Sequence, residues 1–154
     1  MHCPSPNEHH QLLARFAGTW HGKETMHPSE WSPETMVLDA TTTWRVDLGG
    51  FVLITDYEQH KDGQPTYRGH GVYTIDPESN EVVLHWFDQM AGQREEFRGS
   101  WTGQELTLQS KNQMGFMRLH YDLSVDGQLE TRGEMSADGE NWKPMFDGEH
   151  SRRG

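Results

Sequence analysis

From Thr19 onward, apolar and polar residues follow one another with a period of two, and this alternation narrows the architectures open to the chain. Met36, Leu38, Ala40, Thr42, Trp44 and Val46 alternate with Val37, Asp39, Thr41, Thr43, Arg45 and Asp47, which predicts a long half-buried strand. Met117, Leu119, Tyr121, Leu123 and Val125 repeat the pattern against Arg118, His120, Asp122 and Ser124. Turn signals punctuate the runs: Asp62-Gly63, Asp76 to Asn80, Thr102-Gly103, Asp126-Gly127 and Asp138 to Asn141. Asp-Gly between alternating runs favours a tight hairpin, because both central positions then take positive φ. About nine or ten strands follow, with no room for crossover helices. Such a meander closes on itself, since closure removes the unpaired edges that invite aggregation. The expected class is all-β: an antiparallel up-and-down barrel of the lipocalin or calycin kind. A two-sheet sandwich is the alternative.

Only the start reads as helix. Ser5 is a capping residue, Pro6 suits a first helical position, and Glu8 completes a Ser-x-x-Glu capping box. Leu12, Leu13 and Phe16 form a short apolar stripe that Gly18 ends. The expectation is a helix over residues 5–17 acting as plug or lid, then a barrel over 18–151, in a single domain spanning 1–154.

Composition closes several functional classes. The net charge of −11 opposes nucleic acid and anionic membrane surfaces, which require a positive patch. A lone cysteine, Cys3, allows neither an intrachain disulfide nor a cysteine-based zinc site. Residues 1–11 are polar and unlike a secretory leader, and no apolar stretch approaches the roughly 18–20 residues of a membrane helix. A cytoplasmic protein is expected.

The central hairpins can be laid out in register. If Asp62-Gly63 is a two-residue turn, Asp56 lies opposite Gly69 and Thr55 opposite His70. If the next loop is Pro77 to Asn80, Gly69 lies opposite Asp88, Gly71 opposite Trp86 and Val72 opposite His85. One face then carries Val52, Ile54, Asp56, Tyr67, Gly69, Gly71, Tyr73, Leu84, Trp86 and Asp88, and it is the more apolar. The other carries Leu53, Thr55, Tyr57, Arg68, His70, Val72, Val83, His85 and Phe87. The first is expected to face inward, although a one-residue slip reverses the assignment. Asp56 and Asp88 would flank Gly69 with their backbones roughly 10 Å apart. Gly69 and Gly71 would leave space beside Trp86 for a ligand floor. Two carboxylates in an aromatic cavity can act as acid and base or hold a cationic group. Solvated aspartates at a barrel rim are the plainer account.

His70 and His85 fall on adjacent strands, but a firm metal site needs more ligands than the pattern supplies, so no metal is expected. The ten histidines are scattered, without H-x-H or H-x-x-x-H spacing. His150 shares the phase of Trp142, Phe146 and Gly148 on the last strand. No nucleophile elbow, phosphate loop or dinucleotide fingerprint is present.

Phe16-Ala17-Gly18-Thr19-Trp20, Glu24 and His27-Pro28-Ser29-Glu30-Trp31 resemble the opening of the bacterial domain-of-unknown-function family fifteen seventy-nine. The likeness continues through Gly49-Gly50-Phe51, Asp56 to Gln59, Gly69-His70-Gly71, Trp86-Phe87-Asp88, Asp138-Gly139-x-x-Trp142 and Arg152-Arg153. The resemblance implies a calycin-like barrel and points to His27, Trp31, Asp56, Tyr57, His70, Trp86 and Asp88 as its recognisable polar and aromatic residues. It carries no catalytic role. The Gly-Thr-Trp opening is also similar to that of fatty-acid-binding proteins and nitrobindins. Nitrobindins bind haem through a late-strand histidine, which His150 matches only in position.

With Tyr67 from the inward face added, the candidate ligand-binding residues are His27, Trp31, Asp56, Tyr57, Tyr67, His70, Trp86 and Asp88. Residues 27–33 are expected to form a loop over the mouth. The expected function is binding of a small apolar or aromatic molecule, as carrier or sensor, without a cofactor. A small enzyme using Asp56, Asp88 or His70 is the alternative, with haem at His150 a variant of it. A barrel filled by its own side chains, as an assembly module, is a third reading, and a homodimer is compatible with each.

Overall fold

The computed structural model describes residues 3–30, 32–90 and 92–153. A short helix, α1 (Glu8–Leu13), runs into a 3-10 turn, Ala14–Phe16. Ten strands follow: β1 (Gly18–Met26), β2 (Met36–Asp47), β3 (Val52–Lys61), β4 (Gln64–Ile75) and β5 (Val82–Asp88), then β6 (Glu95–Thr102), β7 (Glu105–Asn112), β8 (Gly115–Asp122), β9 (Gln128–Ser136) and β10 (Lys143–Arg153). Each pairs antiparallel with its sequence neighbour, and β1 pairs with β10 to close the barrel. Closure overturns the sandwich alternative.

The helix begins later than residues 5–17 predicted. Asn7 is the N-cap, its side chain accepting from His9 N at 2.9 Å and His10 N at 3.3 Å. The His10 ring returns the favour by accepting from Asn7 N at 3.0 Å, so the capping box is Asn7–His10 rather than Ser5–Glu8. Pro6 instead packs by Gly50, where a Cβ would lie 2.9 Å from Pro6 Cγ.

A plug closes one end of the barrel. Phe16, fully buried, stacks on Trp44 at 4.6 Å and meets Trp101 and Tyr121 at 5.7 Å. Trp20 donates its indole N–H to Phe16 O at 2.8 Å, and the Arg152 guanidinium lies 4.6 Å over the Trp20 ring. Tyr73 and Tyr121 share a hydrogen bond of 2.9 Å beneath them. Leu53, Leu84, Phe97, Leu106, Leu108 and Leu129 complete this core. Aromatic side chains bury large areas each, so few are needed to fill one end of the barrel.

The register between β4 and β5 matches the expectation: Gly69 opposes Asp88, Gly71 opposes Trp86 and Val72 opposes His85. Between β3 and β4 it does not. The Asp62-Gly63 turn forms, with both φ positive, but the pairing shifts between Gln59 and His60. Gln59 opposes Tyr67 while His60 opposes Pro65, so Thr66 is the extra residue of a bulge. Asp56 therefore opposes His70, and Tyr57 opposes Gly69. On β3 the inward residues are Leu53, Thr55, Tyr57 and Gln59, the reverse of the predicted face.

Candidate functional site

The end of the barrel opposite the plug is built differently. Here the inward positions carry Glu24 and Met26 on β1, Tyr57 and Gln59 on β3, Tyr67 on β4, and Trp86 and Asp88 on β5. Glu95 follows on β6, Ser110 on β7, Met117 and Leu119 on β8, and Phe146 and His150 on β10. Met26, Tyr57, Tyr67, Trp86, Met117, Leu119 and Phe146 remain only partly buried although they point inward. Solvent thus enters this half of the barrel.

Two polar groups meet across the aromatic wall. On one side, the Tyr57 hydroxyl donates to the carboxylate of Glu24, which is 4% exposed. Gln59 Nε2 donates to Tyr57 Oη at 2.7 Å. Burial raises the Glu24 pKa, while the hydrogen bonds from Tyr57 and Gln59 act against that shift. Burial and the adjacent Glu24 charge push the Tyr57 phenol well above its ordinary value. On the other side, Tyr67 Oη donates to Asp88 Oδ2 at 2.6 Å, and Trp86 Nε1 donates to the same oxygen at 3.2 Å. Glu95 is raised by burial and by the charge of Asp88. The Tyr57 ring joins the two groups, 5.9 Å from Tyr67 and 6.3 Å from Trp86.

His150 completes the floor. It is 5% exposed, and burial holds its imidazole down at about 4. Its Nδ1 has no hydrogen-bond partner, and its Nε2 lies 3.4 Å from Thr131 Oγ1. A Cβ on Gly148 would sit 2.7 Å from His150 Nε2 and 3.3 Å from Glu24 Cγ. Both side chains therefore converge over the bare backbone of Gly148.

The wall itself opens beside this cup. Pairing of β6 with β7 stops at Arg98 and Gln109, so Glu95–Phe97 and residues 110–112 run past each other without pairing. A cleft of about 350 Å³ results, lined by Glu95, Ser110, Arg94, Glu96, Arg98 and Lys111 among others. Ser110 is 7% exposed, and its hydroxyl is buried without a partner.

Of the residues expected from the sequence, the structure brings Tyr57, Tyr67, Trp86 and Asp88 together inside the barrel. Asp56 and His70 are paired at 2.7 Å on the outer surface, with Arg45 3.8 Å from Asp56. His70 faces outward as the β4–β5 register predicted, and the bulge at Thr66 turns Asp56 to the same side, so Asp56 and Asp88 lie on opposite sides of the wall and form no acid–base pair. His27 sits at the mouth, its Nε2 2.6 Å from Asp147 Oδ2 and its backbone N–H on Met145 O at 2.8 Å. The expected loop over the mouth starts from this anchor; Trp31 lies outside the described residues. The space over Gly69 is filled by the Trp86 indole, whose Cζ2 would stand 2.0 Å from a Cβ there, so the bare backbone seats Trp86 rather than a ligand. Sequence reasoning missed Glu24, Gln59, Glu95 and Ser110 as site residues. A signal for Glu24 existed: in Trp20-x-Gly22-x-Glu24-x-Met26 it shares the phase of a core tryptophan.

Residues 5–152 match the family described as proteins of unknown function, DUF1579. The chain belongs to that family. The resemblance carried by the Gly18–Trp20 opening and the Trp86-Phe87-Asp88 segment is thereby confirmed. No curated protein matches the sequence. Among solved structures, Rv2717c from M. tuberculosis is similar at a TM-score of 0.72 and 15% identity, over 96% of this chain and 99% of that one. An S-type phycobiliprotein lyase, CPES from Guillardia theta, is similar at 0.64 and 8% identity, over 94% of this chain and 92% of that one. At these identities the likeness establishes the fold. No described helix is long and apolar enough to cross a membrane. Among the described residues no group of three or more His, Cys, Asp or Glu is placed to hold a metal ion.

Proposed function

We propose that the protein binds a small, largely apolar or aromatic molecule in the open half of its barrel, as a carrier or sensor. One contrast carries this reading. At the helix end the inward aromatic and leucine side chains other than Trp101 are buried against the plug, whereas beyond them inward aromatic, methionine and leucine side chains remain reachable by solvent. Apolar walls with a few placed polar groups are what small-molecule sites present. The likeness to the phycobiliprotein lyase supports the reading at the level of fold alone. Trp86 in the wall supplies a reporter. A ligand at a hundredfold excess over its Kd adds about 2.7 kcal/mol of stability. For a chain of this length that raises Tm by roughly 5–10 °C and changes tryptophan emission. A library of small aromatic and apolar compounds that neither raises Tm nor gives an adduct in native mass spectrometry would overturn the proposal.

A second reading rests on His150, whose neutral, inward imidazole has an unpartnered nitrogen as a haem ligand would. The ring would have to leave its place, because Nδ1 lies against Gly22 and Nε2 faces Thr131. Titration with haemin tests it: a Soret band abolished by His150→Ala supports ligation, and an unchanged free-haemin spectrum removes it.

A further inference from the structure

We propose that the molecule taken by the open half of the barrel is an amphipathic carboxylate. Its apolar body lies against the inner wall, and its carboxylate sits in the opening between β6 and β7, held by Lys111 and Ser110. The inference rests on the reading that this half binds a small molecule, and adds where its polar end goes and what charge that end carries.

The opening passes through the wall. Glu95 and Ser110 share the inward phase of Phe97 and Leu108, whereas Glu96, Arg98, Gln109 and Lys111 point outward, and all six line one cleft of about 350 Å³. Its inner end is flanked by the apolar wall, because Glu95 opposes Trp86 on β5 and Ser110 opposes Met117 on β8. Trp86 and Met117 are inward and only half-buried. A molecule resting on them can therefore extend a polar end into the cleft.

Two groups there call for a partner. Ser110 is more than nine-tenths buried, lines the cleft, and has a hydroxyl without a hydrogen-bond partner. Leaving such a group unpaired costs stability that a bound acceptor recovers. Lys111 supplies the sign of the charge. Arg94 and Arg98 close on Glu96 at 3.2 and 3.1 Å, and Arg98 also holds Asp76 at 2.9 Å. The Lys111 ammonium stands 5.4 Å over the Phe116 ring and, among the described residues, has no carboxylate partner. A single ammonium beside a single hydroxyl suits one singly charged acceptor group. Glu95, at the inner end of the cleft, opposes an anion and limits how tightly it is held.

Three probes of one shape separate the possibilities: 2-naphthylacetate, 2-naphthylacetamide and 2-naphthylethylammonium, each titrated calorimetrically at pH 7.5. The carboxylate is expected to bind at least tenfold more tightly than the amide, with no detectable binding of the ammonium. Lys111→Met, at an exposed position, should abolish that preference while leaving the amide unchanged. Ser110→Ala should narrow it, and Glu95→Gln should widen it. Lys61→Met, which removes an exposed lysine at the rim, should leave it as it was. Circular dichroism confirms that each variant folds. Equal or tighter binding of the amide or the ammonium by the unaltered protein overturns the carboxylate inference and leaves the binding site standing. A preference that survives Lys111→Met, or falls as far in Lys61→Met, overturns the opening as its seat. Failure of all three probes removes both the inference and the site.

Discussion

At the scale of single residues, the open half of the barrel depends on two close approaches that glycine alone permits. Gly69 lets the Trp86 indole lie against β4, and Gly148 leaves room for Glu24 and His150 to converge. In Gly69→Ala the new Cβ would meet Trp86 Cζ2 at 2.0 Å, so the indole must swing away and lose its bond to Asp88. The expected cost is about 1–3 kcal/mol, typical of overpacking, with a shift in tryptophan emission. Thermal unfolding followed by fluorescence measures both. An unchanged Tm and spectrum would mean that Trp86 does not rest on Gly69. The Glu24–Tyr57–Gln59 group shows why such sites escape inspection of a sequence. Each member is ordinary in its own strand, and only their meeting across β1, β2 and β3 gives the buried carboxyl its donors.

At the scale of elements, α1 is six residues long and would not persist alone. Leu13 and Phe16 anchor it by burying their side chains in the barrel end, and Asn7 satisfies the free N–H groups at its start. Asn7→Ala should cost about 1 kcal/mol. Amide exchange should quicken at His9 and His10 while the strands keep their protection. Uniform loss of protection would mean that the cap holds the whole barrel rather than its plug. Among the strands, the bulge at Thr66 decides more than any other element. It resets the facing of β3, placing Tyr57 inside and Asp56 outside, opposite His70.

At the scale of the whole molecule, closure by β10 carries His150 into the interior and determines how stability responds to acid. Burial depresses its pKa from the ordinary 6.5 to about 4. Between those values the unfolded chain binds more protons than the folded one, so stability rises with pH. The contribution is complete above about pH 6.5 and is lost as pH falls to 4. The size of the shift places it at roughly 3 kcal/mol as an upper bound. Glu24 works with the opposite sign, because its raised pKa makes folding favour the protonated carboxyl. Denaturant unfolding between pH 4 and 7 should therefore show a shallower dependence in His150→Gln than in the unaltered protein, the Glu24 contribution being common to both. Identical slopes would place His150 in contact with water.

The alternating pattern and the Asp-Gly turns by themselves determined an all-β chain of about ten strands with a helix at its start. Both signals are local: side-chain phase is read over a few residues, and positive φ at a turn is a property of the residues in it. The β4–β5 register followed from the same local signals. The face of β3, the cap at Asn7 and the membership of the site were decided by the tertiary structure alone. With a period of two, a single bulged residue exchanges inside for outside along an entire strand. No local pattern announced the bulge at Thr66. Glu24, Tyr57, Asp88, Glu95 and His150 come from five strands between residues 18 and 153, and they become neighbours only when the barrel closes.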